Sequence, residues 1–202
     1  MATTKMCNII LASTSSIRRK ILFDAGIEHE AISPAIDEAA EKAKIYQKNP
    51  NITPVEQAQA LSMLKAKSLD LPGRLIIGAD QILSLGNQSF EKPKNIDEAK
   101  THLQILRGKT HTLETTISCA KNGVEIWTYV SQPKLTMRNF NDDFLNNYID
   151  RAGTELLTSV GAYKLEKEGI QLFEKIEGDY FSILGLPILP LLSFLRSEGV
   201  IS

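Results

Sequence analysis

An acidic residue stands inside one of the most apolar runs of the chain, Ile76-Ile77-Gly78-Ala79-Asp80-Gln81-Ile82-Leu83. Taking an ionised carboxylate out of water is costly unless it is paired, metal-bound or used in chemistry. Ligands gather at strand ends of α/β sheets, so Asp80 reads as a magnesium ligand, a general base for water, or both in different steps. The plainer alternative is a carboxylate that caps a turn or pairs with a structural lysine. Glu38, in the pair Asp37-Glu38 at the end of a predicted strand, is a candidate acidic partner, or else a surface-loop carboxylate. Lys65 and Lys92 offer point charges to phosphate oxygens and Arg18 a planar fork, although most lysines are simply solvated.

A second stretch, Ile9 to Leu22, suggests what such cations would hold. A short apolar run ends at Ala12, the small hydroxyl residues Ser13, Thr14, Ser15 and Ser16 follow, and helical spacing begins at Ile17. Strand, polar turn and helix in that order aim free backbone N–H groups and hydroxyls at an anion above the helix N-terminus. Arg18 and Arg19 stand one turn in. Ser13, Ser15 and the two arginines therefore form a candidate phosphate-binding entrance, the alternative being a serine-capped surface helix with two solvated arginines.

The elements that must position these residues follow from spacing. Gly26 stops the first helix and Ile27 to Ser33 form a second strand. Glu41 to Lys48 are charged and helical. Thr53-Pro54-Val55-Glu56 opens a clearer helix with a capping box, and its stripe of Ala58, Leu61 and Leu64 leaves Lys65 beside the apolar line, able to reach a neighbouring cleft. Leu75 to Ala79 form a strand with Asp80 at its end. Glu91-Lys92-Pro93-Lys94 is a charged loop before a helix from Asp97 to Arg107. Thr110 to Ala120 and Val124 to Met137 are two β-rich runs joined through Asn122-Gly123, followed by a helix from Asn141 to Arg151. Glycines between Ser159 and Gly185 suggest turns between short strands. An apolar helix from about Pro187 closes the chain against the sheet. This mixture points to an α/β fold, a mixed sheet flanked by helices around a central cleft, in one domain with two lobes.

The 202 residues are 43% hydrophobic and 23% charged, with a formal net charge of -1, which gives no global attraction to nucleic acid or to an anionic membrane. A phosphate ligand must be held by a local cluster, which suits a small polyanion. Cys7 and Cys119 are too few for a disulfide framework or a zinc site and read as buried thiols. His29, His102 and His111 lack metal-ligand spacing. There is no GxxxxGK[ST], GxGxxG or GxSxG element, so ATPase, dinucleotide-binding and serine-hydrolase readings lose their usual support. The polar start of the chain lacks the core of a signal peptide and no apolar run approaches bilayer length, so a cytoplasmic protein is expected.

Several motifs, in order, carry a resemblance. Leu11-Ala12-Ser13-Thr14-Ser15-Ser16-Ile17-Arg18-Arg19 resembles the LASxSPxR opening of Maf-family nucleoside triphosphate pyrophosphatases, with Ser16 in place of proline. Asp37-Glu38 resembles the family's DE pair, Leu61 to Ala66 its LxxxKA helix, Gly78-Ala79-Asp80-Gln81 its GAD element, and Glu91-Lys92-Pro93 its GKP, with Glu91 in place of glycine. Gly161-Ala162-Tyr163 and Gly185-Leu186-Pro187 resemble its late GAY and GLP elements. The resemblance implies a Maf/ITPase-like fold and hydrolysis of a nucleoside triphosphate to monophosphate and pyrophosphate with a divalent cation, Mg²⁺ or alternatively Mn²⁺. It carries the catalytic acid over to Asp80 and polar site roles to Ser13, Arg18, Glu38, Lys65 and Lys92, with Asp80 and Glu38 as metal ligands. It also implies a possible homodimer. Gln81, Lys164-x-Glu166 and Gln171-Leu172-Phe173 look more like the 7-methylguanosine triphosphate branch of the family than the thymidine and uridine one. Tyr163, Phe173 and Glu166 are types that suit such a base, or else the two aromatics are plain core. The family is also linked to inhibition of septum formation, which leaves a nucleotide-binding regulator without required turnover as an alternative, and nucleotidyl transfer as a third.

Overall fold

The computed structural model describes residues 8–202; Cys7 and most of the polar N-terminal segment lie outside the described residues. Strand β1 (Ile9–Ala12) runs into the serine turn and helix α1 (Ser16–Asp24), whose N-terminus is capped by the Ser15 hydroxyl. A short strand β2 (Glu30–Ile32) precedes helix α2 (Glu38–Lys48), so Asp37 and Glu38 do not end a strand: Asp37 caps α2 and Glu38 is its first residue. Helix α3 (Pro54–Lys67) starts with the expected capping box between Thr53 and Glu56. Then come strands β3 (Leu75–Leu85) and β4 (Gln88–Phe90), helix α4 (Ile96–Leu106), and strands β5 (Thr110–Lys121), β6 (Val124–Ser131) and β7 (Lys134–Met137). Helix α5 (Asp142–Ala152), strand β8 (Phe173–Glu177), a one-turn helix α6 (Tyr180–Ile183) and helix α7 (Ile188–Ser197) complete the order.

Among the described residues the strands form one mixed sheet in the order β2-β1-β3-β5-β7-β8, with β4 beside β3 and β6 beside β5. Strands β1, β2 and β3 are parallel, whereas β3 and β5 pair antiparallel along most of their length. Helices α1 and α7 cover one face, where Ile21, Leu22, Leu191 and Leu195 meet Leu11, Ile77, Ile117 and Cys119. Helix α3 covers the opposite face of β3. Beyond the far end of β3, α4 and α5 pack on Leu83, Leu113, Leu135 and Met137. The apolar core is thus divided, with the interruption falling near Asp80.

Three further expectations differ from the observed fold. Asp80 is not at the end of its strand: it lies in the middle of β3, which is 11 residues long, because Ile82, Leu83 and Leu85 keep the strand pattern. The strand that ends there is the neighbour, since β1 pairs with β3 only as far as Ala12 opposite Gly78 and β4 begins pairing only at Leu83. The run Val124 to Met137 is two strands, broken at Gln132-Pro133 because proline has no N–H for the ladder. The glycine-rich stretch before Gly185 holds one strand, and the rest is 3₁₀ turns at Gly153–Thr158, Val160–Ala162 and Glu168–Leu172 with the short α6.

Gly78 sets the distance between α3 and the sheet. A Cβ there would lie 2.1 Å from the Ser62 carbonyl oxygen and 2.5 Å from the Ala66 nitrogen, so the helix can rest on β3 only where the strand has no side chain. Gly78→Ala is expected to destabilise the fold by at least about 1–3 kcal/mol, the usual range for overpacking against backbone, read as a lower urea midpoint at unchanged m-value; an unchanged midpoint would mean that α3 yields freely.

Behind the α4 and α5 cluster, His111 is buried, accepts or donates one hydrogen bond with the Tyr163 hydroxyl at 2.8 Å, and has no partner at Nδ1. Burial pushes its pKa down from 6.5 to about 4. Below pH 6.5 the unfolded chain takes up a proton that the native imidazole refuses until about pH 4, so stability present above 6.5 is lost across that window. The difference amounts to about 3 kcal/mol. Urea unfolding of His111→Gln between pH 7 and 4.5 should therefore fall less steeply with acid than the parent; parallel curves would remove His111 as the cause.

Candidate active site

A cleft of about 730 Å³ opens where β1 stops and β3 continues, between the serine turn, α2, α3 and the loop after β4. Its floor holds an ammonium between two carboxylates. Lys65 Nζ lies 2.6 Å from Asp80 Oδ1 and 2.8 Å from Glu38 Oε2. Helix α3 brings Lys65 there because its small residues Ser62 and Ala66 sit on Gly78, two positions before Asp80 on the same face of β3.

The two acids are tuned in opposite directions. Burial pushes the Asp80 carboxyl above the ordinary carboxylate range, against the pull of Lys65 and Arg18. Burial also acts to raise Glu38, but Lys65, Lys42 and Lys92 together more than offset it and hold that carboxyl below its ordinary value. Asp80 is 5% exposed, whereas the Glu38 side chain is 45% exposed, which is why desolvation wins at one and the cations at the other.

The predicted entrance has a more structural character than its sequence suggests. Ser15 Oγ accepts the Arg18 backbone N–H as the cap of α1, and Ser13 Oγ accepts the N–H of Ser15 at 3.2 Å and Arg18 Nη1 at 3.4 Å. Arg18 also donates from Nη1 to the Ala79 carbonyl at 2.9 Å and from Nε to the Gly185 carbonyl at 2.8 Å. Its guanidinium thus closes the backbone where β1 leaves β3, and much of its donor fork is occupied by protein. Burial lowers its pKa, with Asp80 and Glu38 acting to raise it; an arginine still remains cationic. Arg19 is exposed and does not line the cleft, so the paired-arginine expectation is corrected: successive helical residues point about 100° apart, and only Arg18 faces inward. Lys92 lines the cleft from the loop after β4 and acts on Glu38.

Some cleft residues were not singled out by sequence. Lys42 lies on α2 one turn after Glu38, 3.6 Å from Glu38 Oε1, and binds both oxygens of Glu91 at 2.7 and 2.8 Å. The signal was its i, i+4 spacing from Glu38, obscured by the number of charges on that helix. Lys94, Thr158 and Ser159 also line the cleft. At its other end Tyr163, Lys164 and Glu166 face the space, with Ile82, Phe90 and Leu113 as apolar wall. Tyr163 is nearly buried and its hydroxyl is engaged by His111; Phe173 stands edge-on to it at 4.8 Å and does not line the cleft, so Phe173 belongs to the core. Gln81, the next residue of β3, also lines the cleft, and its amide donates to Thr115 Oγ1 and to the carbonyls of Ser182 and Ile183, fixing α6.

Among the described residues no three His, Cys, Asp or Glu side chains form a metal-holding group, and no helix is long and apolar enough to cross a membrane. The Asp80 and Glu38 oxygens nevertheless share one cation, the Lys65 ammonium, at 2.6 and 2.8 Å. Two such carboxylates suit a magnesium-type ion that takes its remaining ligands from phosphate oxygens and water.

The family model described as Maf-like protein matches residues 8–198. The chain is 48% identical over 196 residues to a nucleoside triphosphate pyrophosphatase of Hyphomonas neptunium, covering 96% of this chain and 97% of that one. It is 46% identical over 197 residues to a 7-methyl-GTP pyrophosphatase of Brucella abortus, with 96% and 97% covered. Among solved structures, a HAM1 protein from Coxiella burnetii overlaps 67% of this chain and 75% of its own at 16% identity, with a TM-score of 0.44, a distant likeness from which nothing further follows. With its motifs in order and nearly its whole length matched, the chain belongs to the Maf family.

Proposed function

We propose that the protein hydrolyses a nucleoside triphosphate at the α-phosphorus, giving nucleoside monophosphate and pyrophosphate, in one domain whose two lobes flank the cleft. The observation that carries this reading is the Asp80–Lys65–Glu38 arrangement on the floor of a cleft ringed by further cations. The names of the relatives support turnover and lend none to the septum-regulator alternative.

Asp80 is the group we assign to take the proton from the attacking water. A carboxyl whose pKa is raised by burial is a stronger base once ionised than one in water, and the opposite tuning of Asp80 and Glu38 separates their roles. Glu38 stays ionised across the working range. Both carboxylates would hold the divalent ion, which we take to be Mg²⁺ and which supplies Lewis-acid polarisation of the phosphate oxygens when bound. Lys65 fixes both carboxylates and offers positive charge at the reacting phosphate. Lys92 neutralises charge on the departing pyrophosphate, as does the part of the Arg18 fork not held by carbonyls, while the turn of Ser13 and Ser15 presents backbone N–H groups. At the base end, Tyr163 and Glu166 combine an aromatic edge with a carboxylate, types that suit an electron-poor methylated purine.

A panel of canonical and modified triphosphates with Mg²⁺ should yield monophosphate and pyrophosphate, with 7-methyl-GTP turned over at higher kcat/KM than TTP or UTP. Release of diphosphate and orthophosphate would overturn attack at the α-phosphorus, and a nucleotide-linked product would indicate transfer instead. Asp80→Asn should lower kcat by about 10²–10⁴-fold, the usual worth of a positioned base. In the parent, activity should fall in acid as the Asp80 carboxylate is protonated, and the residual activity of Asp80→Asn should lose that acid limb; an unchanged limb would remove Asp80 from the role.

A further inference from the structure

Helix α2 buries none of its residues, yet Lys42 on it is directed into the cleft with its side chain only 18% exposed. Apolar packing seats the helix through Ile45, which lies against Ala58, Leu61 and Ile82, but gives the Lys42 ammonium itself no partner. The contacts of the ammonium explain its placement: it donates to both oxygens of Glu91, whose loop lies on the other wall, 49 residues away, and approaches Glu38 Oε1 at 3.6 Å. Since Glu38 Oε2 is held by Lys65, an alternating chain of charges runs from the cleft mouth to its floor: Glu91, Lys42, Glu38, Lys65, Asp80.

Glu91 is the weak member of that chain. Its side chain is 65% exposed and, among the described residues, it pairs with the single cation Lys42. Water competes for such a carboxylate, so the ion pair stabilises the fold little and opens readily. A terminal phosphate carries more negative charge than a carboxylate and offers more acceptor oxygens to an ammonium. Lys42 is therefore a cation already drawn into the cleft and occupied by a ligand that a polyphosphate can replace.

We propose that Lys42 is a phosphate-binding residue for the polyphosphate tail of the substrate and that Glu91 is its internal competitor, displaced when the tail enters. The assignment rests on the triphosphate reading above. Entry of a highly charged tail exchanges one partner of Lys42 for a stronger one, whereas a monophosphate, with less charge to offer, displaces Glu91 poorly. Glu91 thereby weakens binding of every anion in the cleft and weakens the less charged ones most.

The test is a comparison of Lys42→Met, Glu91→Gln and the double variant, by steady-state kinetics and by calorimetric binding of a non-hydrolysable α,β-methylene triphosphate. Lys42→Met should raise KM and the analogue Kd about tenfold or more, the worth of one charge-assisted hydrogen bond, with kcat falling by less. Glu91→Gln should move both in the opposite direction, and the double variant should match Lys42→Met. If the bridge only holds the two walls together, both single variants weaken binding alike, and that shared sign overturns the proposal. Unchanged KM and Kd in Lys42→Met would overturn it as well. Triphosphate hydrolysis by the parent is scored in the same assay, so a failure of the pyrophosphatase reading appears as absent turnover before any variant is compared.

Discussion

A lysine wedged between two carboxylates governs the cleft. Asp80 is carried into the interior by a strand that has no option but to be apolar on either side of it, and a lone ionised acid there would oppose folding. Lys65 offsets part of that penalty, but only if its helix lies almost in contact with the strand, and Gly78 allows that approach. Strand, glycine and helix therefore constitute one requirement. The serine turn, α2 and the loop after β4 are placed around this fixed point, and the same ammonium that makes Asp80 tolerable aligns Glu38 beside it.

Local chemistry explains which parts could be read from the chain alone. The capping box at Thr53 and Glu56, the Asn122-Gly123 turn and the serine cap of α1 each depend on residues a few positions apart, and each formed as its residue types require. What spacing did not disclose depends on distant partners. Whether β3 ends at Asp80 depends on where β1 stops and β4 begins, and Lys42 is distinguished from its solvated neighbours on α2 only by Glu91 on another element. The glycines between Ser159 and Gly185 were correct as punctuation and misleading as strand boundaries, because 3₁₀ turns use the same residues.

The site is also an account of unequal exposure. Two acids of similar chemistry share a cation and yet move in opposite directions, because one is enclosed by sheet and helix while the other stands at the start of a helix open to water. Proximity alone would have tied them together. The difference in solvation separates them, and it is produced by the fold rather than by any change of residue type.

Arg18 joins three widely separated parts of the chain, the turn at Ser13, the backbone at Ala79 and the carbonyl of Gly185. This has a bearing on biosynthesis. A polypeptide leaving the ribosome can assemble the first parallel strands early, but the guanidinium keeps an empty hydrogen-bonding direction until residue 185 has emerged from the exit tunnel. A fragment that stops short of residue 185 carries the acid and the lysine without the clasp that closes the sheet beside them.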